Sequence, residues 1–271
     1  MSAPLTTTRP LVVLMYHGLY ADAAELQAID AADRPYAVST ERFAQQLQAI
    51  ADAGLPFVDP ATLGTSASAG GGVLLSFDDG HASNAVHGLP LLARHGARGV
   101  FFVTTDFIDH RPGFCSRAQV MELAAAGMTV GSHGRTHRFL DDLDATEALA
   151  ELHDSRRALE DLIGQPVDQV SFPGGRYRPD QLAAWRADGY RFFHSSAIGV
   201  HPASAVLDGS VLPRLAVRRD TPVAQCLTMA RGDTHWLLEA RAVAGVKRWV
   251  RQLAGNHLYH AVYERFHRPR G

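Results

Sequence analysis

Short apolar runs rich in β-branched and aromatic residues recur along the chain: LVVLMY (11–16), VLLSF (73–77), GVFFV (99–103), MTVGS (128–132), VSF (170–172), YRFFHS (190–195) and VLPRLAV (211–217). Their length suits strands, and their nearly continuous apolar character suits strands buried on both faces. Between them the apolar positions follow a helical period. TERFAQQLQAIADAG (40–54) places Phe43, Leu47, Ile50 and Ala51 at helical spacing, opens behind a Ser39 or Thr40 cap and stops at Gly54. Further helices are predicted at 83–95, 117–126, 144–163 and 179–188. Alternating strand and helix predicts a parallel α/β sheet or barrel, in which functional side chains collect at the C-terminal ends of strands.

The Ala/Ser/Gly segment 65–72 interrupts this pattern only briefly and reads as a flexible loop within one domain. The expected division is a barrel domain over 1–233 and a helical tail over 234–271, where Trp236, Leu237, Val243, Trp249 and Phe266 interleave with Arg241, Lys247, Arg248 and Arg265. Such a basic amphipathic tail packs on the barrel or lies on a membrane surface. Residues 19–36 form a long connection that is either a lid over the site or a disordered insertion.

Composition adds bounds rather than identity. A chain of 271 residues with 46% hydrophobic content buries an ample core. A formal net charge of -2 gives no global attraction to nucleic acid, and no nucleic-acid partner is expected. Cys115 and Cys226 stand far apart and read as unpaired thiols. The apolar run Leu11 to Met15 is too short for a signal-peptide core or a membrane span, so the expected location is cytoplasmic, with peripheral contact at the inner membrane face if the tail binds there.

Two constellations carry chemistry. Asp78 and Asp79 end a hydrophobic strand, and neighbours on an extended chain point opposite ways, so one carboxylate is free to bind a metal while the other accepts a proton. His133 and His137, four residues apart behind another strand, are spaced to converge on one ion. One Asp with two His suits Zn²⁺, Co²⁺, Ni²⁺ or Fe²⁺ and leaves positions for water and substrate. His81 lies close enough to touch substrate, but reads first as a solvated loop histidine.

The segments SFDDG (76–80), SHGRTH (132–137) and FPGGRY (172–177), in this order, resemble the NodB-like polysaccharide deacetylases, carbohydrate esterase family 4. LMYHG (14–18) and LPRLAV (212–217) are similar to segments of the exopolysaccharide-type members. The resemblance implies a distorted (β/α) barrel of about seven strands holding a mononuclear divalent metal, usually Zn²⁺. It implies Asp78 as general base, Asp79, His133 and His137 as metal ligands, and the Pro173, Gly174, Gly175 turn, with Arg176, as the oxyanion and substrate contacts. The resemblance to exopolysaccharide members implies His17 as general acid. Ser171 and Phe172 stand where the family carries an arginine that orients the catalytic Asp, so Arg214 is the first candidate for that role and Arg176 the second. The implied substrate is an N-acetylated amino-sugar glycan or a lipid-linked precursor. A non-sugar amide hydrolase and a catalytically silent glycan binder are the competing readings.

Overall fold

The computed structural model describes residues 9–202 and 209–245. In chain order its elements are β1 (Leu11–Tyr16), β2 (Leu19–Tyr20), α1 (Ala23–Ala28), β3 (Val38–Ser39), α2 (Thr40–Asp52), β4 (Gly72–Phe77), α3 (Leu89–Arg94), β5 (Gly99–Val103), α4 (Arg117–Ala125), β6 (Thr129–Ser132), α5 (Ala145–Ile163), β7 (Gln169–Ser171), α6 (Leu182–Ala187), β8 (Phe192–His194), β9 (Val211–Leu212), β10 (Leu215–Ala216) and α7 (Val223–Ala230). Eight of the strands form one curled parallel sheet in the order β10-β1-β4-β5-β6-β7-β8-β9, the distorted (β/α) barrel expected.

The seventh predicted strand, 211–217, is split. β9 pairs with β8 at one edge of the sheet and β10 pairs with β1 at the other. Two residues separate these halves, so a single broken strand links the two edges of the barrel. Pro213 has no N–H to give a ladder, and the Arg214 N–H donates instead to the Ala197 carbonyl at 2.9 Å. The break frees the Arg214 side chain to turn inward, where it is fully buried.

Period-two alternation fixes what the strands aim inward. Leu11, Val13, Leu74, Val100, Phe102, Phe192 and Leu212 fill the barrel core. Continuing the same faces carries Met15 and His17 from β1, and Asp78 from beyond β4, to the open end, where they line a cavity. On the opposite face, Tyr16 and Phe77 pack under Phe43 of α2, with ring centroids 5.0 and 5.8 Å away. Gln46 is also buried on α2 and accepts the Tyr16 hydroxyl at 3.1 Å, which satisfies both groups. Removing the Phe43 ring is expected to cost about 3–5 kcal/mol.

Helices α2, α4 and α5 lie within a residue or so of their predicted limits. The predicted helix 83–95 is instead one wide π turn, Asn84–Gly88, followed by α3 with Pro90 in its first turn. Residues 19–36 are ordered. β2 pairs with β3, Asp22 caps α1, and Arg34 ties the segment together through the Gln27 and Ile29 carbonyls, each at 2.8 Å. Both cysteines are free and buried. Segment 65–72 contains a short 3₁₀ turn, Ser66–Ser68.

The chain divides into compact units Met1–Gly232 and Asp233–Gly271. Within the second, residues 234–245 are helical, and the remainder of the predicted tail, with Trp249 and Phe266, lies outside the described residues. No described helix is long and apolar enough to cross a membrane.

Candidate active site

A cavity of about 380 Å³ opens at the C-terminal end of the strands, lined by His17, Tyr36, Asp78, Asp79, His133, His137, Phe139, Gly174, Arg214 and Arg218 among others. Three loops following strands supply most of its polar groups. Asp78 continues β4 and Asp79 follows in a left-handed conformation, φ 74°. That turn overrides the expected opposite orientation of the pair, so both carboxylates face the cavity. His137 is likewise left-handed, φ 66°. Non-glycine residues adopt this region rarely, and the surroundings must hold them there.

For His137 the holding group is Glu151 of α5, buried under the loop. Its Oε1 accepts both the Thr136 N–H and the Thr136 hydroxyl, the latter at 2.9 Å, and its carbonyl accepts the Arg135 N–H at 3.2 Å. Ser132 adds a hydroxyl that accepts the Gly134 N–H at 3.1 Å.

Asp79, His133 and His137 meet. Asp79 Oδ1 lies 3.2 Å from Nε2 of each histidine, and one ligand atom from each residue falls within 4.8 Å of the others. His133 Nδ1 donates to the Ser171 carbonyl at 2.8 Å, which leaves Nε2 as the ring's lone-pair atom toward Asp79. A carboxylate and two imidazoles so directed fit a divalent ion of the Zn²⁺ class. His81 is buried rather than solvated. Its ring stacks on Phe114 at 4.6 Å and its Nε2 lies 3.6 Å from Asp79 Oδ2.

Asp78 meets Arg214 in a two-point pair, with Nη1 to Oδ1 and Nη2 to Oδ2 both at 2.7 Å. Ser171 completes the arrangement, its hydroxyl donating to Asp78 Oδ2 at 3.1 Å while accepting Arg214 Nη2 at 2.8 Å. Ser171 thus touches the carboxylate, its arginine and, through its carbonyl, His133. Arg214 Nε donates to the Ser195 carbonyl at 2.9 Å. Burial alone would raise the Asp78 carboxyl; the Arg214 guanidinium, with His133 and His17, outweighs it and holds the group at about 2. Burial also opposes ionisation of Asp79, and hydrogen bonding to His133, His137 and His81 outweighs it, keeping that carboxyl well below the usual range.

His17 is partly buried as a residue, its Nδ1 is buried without a hydrogen-bond partner among the described residues, and its ring lies 4.8 Å from the Tyr36 ring. Burial lowers its pKa, and the nearby Asp79 and Asp78 carboxylates offset this only in part. The Pro173–Gly175 turn borders the same cavity through Gly174. Gly174 and Gly175 both take positive φ, and a Cβ on Gly175 would collide with Ser196 at 2.5 Å. The N–H groups of Gly175 and Arg176 already bond the Phe172 and Pro173 carbonyls, and Pro173 has none, so Gly174 is the donor candidate of this turn.

Arg176 departs from its expected place. It pairs with Asp141 at 2.9 Å and also with Asp142, and lies over the Phe139 ring at 4.6 Å, outside the cavity lining. Sequence reasoning missed Tyr36, Phe139 and Arg218 as wall residues and Glu151 as the support of the histidine loop. Their signal is tertiary, since each is brought in from a separate loop or helix.

Comparison with known proteins agrees with this geometry. Residues 66–193 match the polysaccharide deacetylase family model. YxkH of Bacillus subtilis (strain 168) is 29% identical over 119 residues, which is 44% of this chain and 42% of that protein, so the match spans about two fifths of the relative's length. Among solved structures, IcaB from Ammonifex degensii superposes with a TM-score of 0.68 at 25% identity, covering 82% of this chain and 97% of that one. The Streptococcus pyogenes deacetylase PplD, solved in complex with acetate, superposes with a TM-score of 0.69 at 22% identity over 83% and 99% of the two chains, a likeness of fold. The three motifs first noticed in the sequence fall inside the matched segment, so residues 66–193 of this chain are similar to the polysaccharide deacetylase family, the NodB-like group those motifs resemble.

Proposed function

We propose that this protein is a metal-dependent hydrolase that removes N-acetyl groups from an amino sugar in a glycan or glycan precursor. The observation that carries the reading is the convergence of Asp79, His133 and His137 beside a buried Asp78 kept ionised by Arg214. Zn²⁺, or Co²⁺ or Ni²⁺ in the same donor set, when bound there polarises an amide carbonyl and acidifies water.

The chain's own residues account for the remaining work. Asp78, oriented by Arg214 and Ser171, accepts the proton of the attacking water. The Gly174 N–H donates to the oxygen that gains charge as the carbonyl becomes tetrahedral. An amine leaves readily only once protonated, and His17, on the same cavity wall, is the donor. Tyr36 and Phe139 give the cavity aromatic walls, which favours a sugar ring over a small non-sugar amide. An ionised base and a complete donor set favour catalysis over silent binding.

The test is acetate release from a panel of N-acetylated amino sugars and oligosaccharides by metal-stripped protein, with and without added Zn²⁺ or Co²⁺, and with Asp78→Asn as control. Metal-restored release that Asp78→Asn lacks is the expected result. Absence of release from every sugar, with release from a non-sugar amide, would replace the substrate class.

A further inference from the structure

Four arginines in loops that follow the strands are paired with acids. Arg111 pairs with Asp30 at 2.6 Å, Arg135 with Asp154 at 3.2 Å, Arg138 with Glu147 at 3.5 Å and Arg176 with Asp141 at 2.9 Å. Arg218, in the wall of the same cavity as Asp78 and His137, differs. Among the described residues its side chain hydrogen-bonds the Tyr36 hydroxyl at 3.3 Å, and no carboxylate is in ion-pair contact with it. Asp33, an acid of the same wall, lies 4.0 Å from Arg111.

The guanidinium is also held in place. Its Cζ lies 5.0 Å over the Tyr36 ring, and the backbone beneath it is closed by Arg218 N–H to Thr221 Oγ1 at 2.9 Å and Thr221 N–H to the Arg218 carbonyl at 3.0 Å. The next residue is tied to the Tyr36 segment through Arg219 N–H and the Pro35 carbonyl at 2.9 Å. Tyr36 in turn packs at a tilt against His17, ring centroids 4.8 Å apart. The guanidinium therefore ends a row of packed rings that begins at the candidate acid, and it retains donors beyond the one given to Tyr36.

We propose that Arg218 forms an anion subsite, so that the amino-sugar substrate carries a phosphate or carboxylate close to the acetamido-bearing ring. A planar, pre-ordered fork with unused donors in a cavity wall is suited to two-point recognition of such groups. The proposal rests on the deacetylase reading and narrows its substrate class.

The experiment compares kcat/KM for acetate release from N-acetylglucosamine with N-acetylglucosamine 1-phosphate, and from N,N′-diacetylchitobiose with a disaccharide of N-acetylglucosamine and glucuronic acid. Each pair is measured with the metal-loaded wild type and with Arg218→Gln, which keeps a hydrogen-bonding amide and removes the charge. The expected preference for one anionic member is roughly tenfold to hundredfold, falls with added salt, and collapses toward unity in Arg218→Gln. Which pair shows it separates phosphate from carboxylate. Equal rates within both pairs for the wild type, or a preference that survives the substitution, overturn the subsite.

Loss of the deacetylase reading is visible separately, as no acetate from any of the four compounds. Calorimetric binding of N-acetylglucosamine 1-phosphate to wild type and Arg218→Gln then decides the subsite by itself. Equal affinity overturns it, and a tenfold or greater weakening supports it.

Discussion

Arg214 and Asp78 are joined at two points inside the barrel, both contacts 2.7 Å, although they lie 136 residues apart in the chain. The pair exists because Pro213 breaks the last strand and turns the next side chain inward. Arg214→Lys keeps the charge but has no planar fork to match both carboxylate oxygens. It is expected to lower kcat by roughly 100-fold with a smaller change in KM, since a misaligned base costs rate more than binding. Arg214→Met leaves a buried carboxylate without its counter-charge and is expected to cost about 3–5 kcal/mol of stability, read by urea denaturation. Unchanged kinetics in Arg214→Lys would show that single-point contact suffices to orient the base.

The Asp78 carboxyl also sets a pH dependence. Its folded value of about 2 lies below the ordinary 3.8, so its ionised form favours the folded state above the ordinary value, and that contribution is lost as pH falls through the folded one. Stability is expected to decline between about pH 4 and pH 2, with roughly 2 kcal/mol of the decline belonging to this residue. Denaturation of Asp78→Asn across the same window lacks that part of the slope. Parallel profiles for the two proteins would assign the decline to other carboxylates.

Glu151 makes a different prediction because it supports a ligand loop without lining the cavity. Glu151→Gln retains an oxygen able to accept both Thr136 donors, whereas Glu151→Ala releases the loop that holds His137 at positive φ. Glu151→Ala is expected to weaken Zn²⁺ affinity by roughly 10–100-fold in a chelator competition, with Glu151→Gln near the wild type. Equal weakening by both would make the carboxylate's charge, rather than its acceptor oxygen, the important property.

These cases show which parts of the site are legible in the amino-acid order. Asp78 and His133 are, because strand alternation and short motifs place them at strand ends, and Arg214 is, because its Pro-Arg segment resembles that of the exopolysaccharide-type members. The orientation of Asp79 is not, since a left-handed backbone reverses what alternation dictates. Arg176 stands in the third motif, yet Asp141 and Asp142, 35 and 34 residues away, draw it out of the cavity. Tyr36 reaches the wall only because its segment is tied down by Arg34 and Arg219, and a hydrogen bond between distant loops leaves no local pattern. The strand count has the same explanation. Seven apolar runs become eight strands because only the three-dimensional sheet shows that 211–217 pairs to two different neighbours.

His17 tests the division between proton donor and structural ring. Its ring packs at a tilt against Tyr36 and its buried Nδ1 has no hydrogen-bond partner among the described residues, features that either role accommodates. The roles differ in what they demand of the leaving group. Departure of an amine from an N-acetyl sugar requires a proton, whereas 4-nitrophenolate leaves from 4-nitrophenyl acetate without one. His17→Ala is therefore expected to reduce acetate release from the sugar by roughly 10²–10⁴-fold while hydrolysis of the ester falls far less. A parallel loss on both substrates would instead mean that the ring shapes the cavity, and would move the acid role to another group.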